Sequence, residues 1–174
     1  KKEGASVPSK IMQQKLIESF YQTIKFDPAN VNFVEAHATG TKLGDPEELA
    51  AIDEVFAKQT GRAKTLRIGS VKSNMGHAES ASGMASMAKI ILSFENQKFP
   101  PNINLKSPRS DVAAFAEGRI KVATEVEDLD SEFIAMNSFG LGGGNAHSLF
   151  RGNPKVKSNF GIPDDELGRM VLWS

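Results

Sequence analysis

Two histidines stand where apolar runs stop. His37 closes "VNFVEAH", and His77 closes "VKSNMGH", the stretch that follows "LRIGSV". Both runs read as buried strands, and in open α/β sheets ligands sit in the crevice outside the carboxyl ends of the strands. Two histidines placed this way would converge in that crevice. Position alone leaves a second reading open, in which the two are unrelated loop histidines. A metal centre is a third, but neither has a second His at the i+3 to i+5 spacing of compact zinc motifs, and no metal is expected. His147, inside the alternating "NAHSLF", reads as structural.

Other residue types narrow the chemistry. Taken singly, Lys72 reads as a solvated lysine and Glu48 as a capping carboxylate. The glycine run "GLGGG" (140–144) lacks a following Lys-Ser/Thr and starts no helix, so it is not a phosphate loop. Its amides suit an oxyanion instead. Cysteine is absent from all 174 residues, which excludes disulfides, thiolate metal sites and a thiol nucleophile within them.

Helix and strand patterns alternate along the chain and predict an α/β layer architecture. Ser9 is the expected cap of a first helix with Met12, Leu16, Phe20 and Ile24 every four residues and Ile17 and Tyr21 widening the stripe, ended by "DPAN". Asp45, Pro46 and Glu48 fit N-cap, N1 and N3 of a second helix. "SASGMASMAKIILSF" is a third, crowded with small residues that suit close helix packing. After the Pro- and Asn-rich "NQKFPPNINLKSP", "RIKVATEV" alternates as a strand, and "FIAMNS" and "NAHSLF" make a hairpin around a wide glycine turn. From Arg151 the chain turns polar, until "MVLWS" begins another strand pattern.

Bulk properties set the limits. The length suits one domain, and 40% apolar residues suffice for a packed core. With 21 basic and 21 acidic residues there is no net charge to attract nucleic acid or an anionic membrane. No apolar run approaches the about 20 residues of a membrane span, and the start has no signal-peptide core. The expectation is a soluble cytoplasmic protein.

Three segments, "HATGTKLGDPEE", "KSNMGHAESASG" and "NSFGLGGGNAH", occur in that order. Together they resemble the C-terminal half of a β-ketoacyl synthase. The leader "EGASVPS…QQKLIESFYQ" is similar to the ketosynthase of animal-type I fatty acid synthase. The resemblance covers residues 1–150, and residues 151–174 resemble the start of the linker that follows. It implies the C-terminal half of a layered αβαβα thiolase fold, with a mixed five-stranded sheet and helices on both faces. It also implies decarboxylative Claisen condensation of malonyl carried on acyl carrier protein with an enzyme-bound acyl thioester. His37 and His77 match the histidines that donate to the malonyl thioester oxygen. Lys72 matches a lysine paired with the carboxylate at Glu48, and Asn74 lies in the same supporting segment. Thr39 and Thr41 match hydroxyls that contact the pantetheine arm. Phe139, Gly140 and Leu141 match the oxyanion and gating turn.

No cofactor is implied beyond the phosphopantetheine arm that the carrier brings as substrate. The implied partners are the carrier, the N-terminal half of the same ketosynthase and a second subunit. Three departures stand out. The family's nucleophilic cysteine would lie upstream of Lys1, so these residues alone are expected to be inactive. Ala38 occupies a position where glycine is usual, which matters if that backbone needs positive φ. Leu141 replaces a gating aromatic. A polyketide synthase ketosynthase shares all three motifs and stays open as an alternative, as does a non-catalytic module that dimerises or docks a carrier.

Overall fold

The computed structural model describes residues 8–140 and 143–153. Helix α1 (Lys10–Ile24) begins at Ser9, whose hydroxyl accepts from the Met12 amide, and ends where Lys25 turns left-handed. Its buried ridge is Gln13, Ile17 and Tyr21 rather than the expected Met12 and Ile24, which are exposed. The wider stripe is correct in Ile17 and Tyr21 and wrong in phase by one residue. Strand β1 (Phe33–Glu35) follows, then α2 (Gly44–Ile52), which widens into a π turn over Asp53–Ala57. Next come β2 (Leu66–Gly69), the short α3 (Lys72–Met75) and α4 (Ser82–Asn96). The remainder is β3 (Lys98–Phe99), α5 (Ala113–Ala116), β4 (Ile120–Val122), β5 (Glu127–Asp128), β6 (Phe133–Phe139) and β7 (Asn145–Arg151).

Five strands form one mixed sheet in the order β4-β2-β1-β6-β7. All neighbours are parallel except β6 and β7, the expected hairpin, in which Asn137 stands opposite His147. A small antiparallel pair, β3 with β5, stands apart. The short apolar runs become central strands because both faces of the sheet are covered.

Side-chain alternation along β1 and β6 feeds two cores. Val34, Ala36 and Ala135 pack with Ile17, Tyr21, Leu49, Ile52 and Phe56 of the α1 and α2 side. Phe33, Ile134 and Met136 pack with Ile90 of α4 and with Phe99. Each fully buried phenylalanine contributes about 1.5–3 kcal/mol by leaving water. The small residues of α4 do face inward: Ser82, Ser86 and Ser93 are buried. Among the described residues α4 packs chiefly on β6 and β3, while Met84, Ile91 and Leu92 are exposed.

Candidate active site

The chain leaves β1 through a loop held from below by one carboxylate. Glu48 of α2 is buried, and its two oxygens accept the His37 and Ala38 amides, each at 2.8 Å. Asn137 Nδ2 donates to the same group at 3.0 Å. Burial pushes the Glu48 carboxyl up, and these three donors hold it back. Ala38 sits at φ +32°, in the left-handed region that costs a residue with a Cβ about 1–2 kcal/mol. The glycine usual at this position would escape that cost. The two bonds to Glu48 keep the loop in place despite it.

The start of α2 differs from the expected cap. The helix begins at Gly44, one residue before Asp45, and Asp45 turns back to accept the Gly40 amide at 3.1 Å. Thr41 Oγ1 accepts the Gly44 amide at 3.0 Å, and a Cβ on Gly44 would lie only 2.5 Å from that oxygen. Thr41 is exposed, and Thr39 beside it half-buried, with their hydroxyls 3.5 Å apart.

A second carboxylate holds the other loop. Glu35, fully buried on the α4 side of β1, accepts the Val71 amide at 2.6 Å and the Lys89 ammonium of α4 at 2.6 Å. Asn102 Oδ1 accepts the neighbouring Ser70 amide at 2.9 Å. Gly69 makes room for this arrangement, since a Cβ there would meet Lys89 Nζ at 2.9 Å and Phe99 at 3.0 Å. Thus anchored, the chain makes the single turn of α3, reverses at Gly76 (φ +81°) and presents His77. Asn74 supports the turn by donating to the Pro101 carbonyl at 3.2 Å.

The two loops bring the histidines together. Their ring centroids lie 5.6 Å apart at 87°, with the Phe139 ring 6.0 Å from His37. The Glu79 amide donates to His77 Nδ1 at 2.8 Å, which puts the neutral ring's proton on Nε2. Among the described residues His37 Nδ1 is buried without a partner, and a bare acceptor is tolerated better than a bare N–H, so its proton also belongs on Nε2. Burial, with Lys72 and His77 nearby, lowers the His37 pKa to about 4, leaving a neutral imidazole at pH 7. The pair therefore offers two Nε2–H donors to one region. Among the described residues no group of three or more His, Cys, Asp or Glu side chains is placed to hold a metal.

Lys72 corrects an expectation. Its ammonium forms no ion pair within 4.0 Å among the described residues, with Glu48 or any other carboxylate. Half-buried, it has its pKa lowered by desolvation and feels Glu35 more than Glu48. The buried lysine–glutamate pair belongs to Lys89 and Glu35 instead. Neither residue was singled out from the sequence, because a lysine within a helix pattern gives no sign of burial. His147 is buried against Asn137 and Tyr21, in keeping with a structural reading. In the glycine turn the Gly140 amide donates to the Gly144 carbonyl at 2.7 Å, and Leu141 lies outside the described residues.

Comparison with known proteins places this geometry. The family "Beta-ketoacyl synthase, C-terminal domain" matches residues 1–106, and "Ketoacyl-synthetase C-terminal extension" matches residues 108–174. The hybrid PKS-NRPS synthetase pyvA of Aspergillus violaceofuscus is 44% identical over 84% of the chain. The highly reducing polyketide synthase gloL of Glarea lozoyensis is 42% identical over 86%. The chain spans only 4% and 6% of the length of those two relatives. Among solved structures, the ketosynthase from module 1 of the bacillaene synthase of Bacillus amyloliquefaciens is 38% identical, with a TM-score of 0.82. That match covers 90% of this chain and 28% of that one. These relatives are polyketide synthases, where the leader pointed to fatty acid synthase. A family match over more than half of the chain, and a sheet that superposes on a ketosynthase, leave one conclusion: the chain belongs to the β-ketoacyl synthase C-terminal domain family and has its thiolase-like α/β fold.

Proposed function

We propose that these residues form the decarboxylation side of a ketosynthase active site acting on malonyl carried by the phosphopantetheine arm of acyl carrier protein. The observation that carries this reading is the pair of Nε2–H donors on rings 5.6 Å apart. As the C–C bond to the malonyl carboxylate breaks, CO₂ leaves and its electron pair becomes a thioester enolate. Two donors fixed beside the enolate oxygen stabilise the charge as it forms. The enolate carbon then attacks an acyl thioester on a cysteine supplied from outside these residues, forming the new C–C bond and expelling the thiolate. Lys72, with no carboxylate within 4.0 Å among the described residues, adds positive potential beside the site. Thr39 and Thr41 line the approach of the arm, Thr41 while also holding the start of α2.

Support for polyketide rather than fatty acid assembly comes from the relatives at 44% and 42% identity. Similarity of the leader to animal fatty acid synthase favours the second reading, and the products of the intact synthase distinguish them. In either case we place the site in a cytoplasmic, dimeric multienzyme in which an N-terminal ketosynthase half completes it. The test is His37→Ala and His77→Ala in the intact ketosynthase, each expected to slow malonyl decarboxylation about 10²–10³-fold. Decarboxylation at the parental rate in either variant removes that histidine from the mechanism.

A further inference from the structure

Below the His37 loop a buried polar chain runs along the face of the sheet that α1 and α2 cover. Tyr21 of α1 meets His147 of β7 at 3.3 Å between Oη and Nε2. His147 Nδ1 lies 2.7 Å from Asn137 Oδ1 on the facing strand. Asn137 Nδ2 donates to Glu48 Oε1, and Glu48 accepts the His37 and Ala38 amides. All four side chains are buried, with the Phe20 and Phe56 rings 5.1 and 6.0 Å from the imidazole. In such surroundings an unpaired polar group is costly, so each member constrains the next.

With Glu48 as a carboxylate, which can only accept, the direction of every bond follows. Glu48 accepts two backbone N–H groups, so the Asn137 amide turns its NH₂ toward the carboxylate and its oxygen toward His147. Nδ1 of His147 therefore carries the ring proton, and Nε2 accepts from the Tyr21 hydroxyl. Flipping the Asn137 amide would put an oxygen against a carboxylate.

We propose that His147 is a positioning residue of the active-site loop: its Nδ1–H holds the Asn137 amide in the one orientation that donates to Glu48, and so fixes the carboxylate that sets His37 and Ala38. The catalytic consequence rests on the ketosynthase reading of His37. The contact with Tyr21, the longest of the series, contributes least.

Two near-isosteric variants of the intact ketosynthase test this. In His147→Asn the amide nitrogen replaces Nδ1, whereas in His147→Gln it falls near Nε2 and leaves Asn137 Oδ1 without its donor. The readouts are hydrogen exchange of the His37 and Ala38 amides, and kcat and KM for malonyl decarboxylation. His147→Gln is expected to speed exchange and lower kcat about tenfold, with KM little changed, while His147→Asn stays within about twofold of the parent. On an Asn137→Ala background, His147→Gln should add nothing. Equal behaviour of the Asn and Gln variants, or additive losses in the double variant, overturns the proposal. Should His147→Gln fail to fold, Asn137→Ala carries the test, and unchanged exchange at residues 37 and 38 overturns it. If His37→Ala leaves decarboxylation intact, the ketosynthase reading fails while exchange still reports on the chain.

Discussion

Glu35 and Glu48 do the same work in different ways. Each is buried, each has its carboxyl pushed up by burial, and each holds backbone at the root of one histidine loop, Glu48 by two amides and Glu35 by one. Glu48 is surrounded by three neutral donors, whereas Glu35 has an ammonium ion 2.6 Å away. A carboxylate held by dipoles depends on the geometry of all its donors. One held by a buried cation depends on that cation's charge, because loss of either partner leaves an uncompensated ion. The His37 loop is thus steered by shape and the His77 loop by charge balance.

The largest expected effect comes from breaking the ion pair on one side. In an intact ketosynthase Lys89→Met should lower unfolding free energy by about 3–5 kcal/mol in denaturant titration. Adding Glu35→Gln should recover most of that loss, and a double variant as unstable as the single would place the cost in packing. Glu48→Gln is expected to cost less, about 1–3 kcal/mol, because its NH₂ must face one of the two amides and leaves that N–H unpaired. Chemical denaturation measures it, and no second-site charge change should rescue it.

Acid separates the histidines from the carboxylates. Burial lowers the His147 pKa to about 4, so between pH 4 and the ordinary value near 6.5 the unfolded chain holds more protons. Stability must then fall as pH falls through that window, by about 2 kcal/mol between pH 7 and pH 5 for this residue. His37, with its pKa also lowered to about 4, acts in the same direction. Glu35 and Glu48 act oppositely, since their raised values favour the folded state on the acid side and that contribution is lost as pH rises. Removing the imidazole with His147→Asn should flatten the acid-side slope of unfolding free energy against pH, and an unchanged slope would assign it to other groups.

The smallest effect belongs to Ala38→Gly. Relief of positive-φ strain, about 1–2 kcal/mol, is offset by about 0.5–1 kcal/mol of extra freedom in the unfolded chain. A gain of no more than about 1 kcal/mol in thermal unfolding is expected, whereas a loss would mean that the methyl group's packing outweighs the strain.

Much of this was legible in the residues. Short apolar runs ending at His37 and near Lys72 marked buried strands and the crevice beyond them, and the glycine turn marked the hairpin. The roles assigned by resemblance went further than spacing could. What stayed hidden was whatever required knowing which neighbour fills a space. The phase of α1 is decided by the sheet it covers, which selects Ile17 and Tyr21 and rejects Met12. Lys89 reaches Glu35 past Gly69, where a Cβ would crowd its ammonium and Phe99. Thr41 caps Gly44 because the absence of a Cβ lets the hydroxyl approach. Such contacts join distant positions, and periodicity carries no record of them.

The two-sided alternation of β1 makes the site a matter of parity. Phe33 and Glu35 face α4, while Val34 and Ala36 face α1 and α2. Gaining or losing one residue within the strand would exchange the sets, presenting a valine to the Lys89 ammonium and thrusting Glu35 among aliphatic side chains. A change of two residues would preserve parity. Length variation among related chains should therefore be even-numbered or excluded along β1, and unrestricted by this rule in the exposed stretch from Gly40 to Leu43, where no such alternation holds the chain.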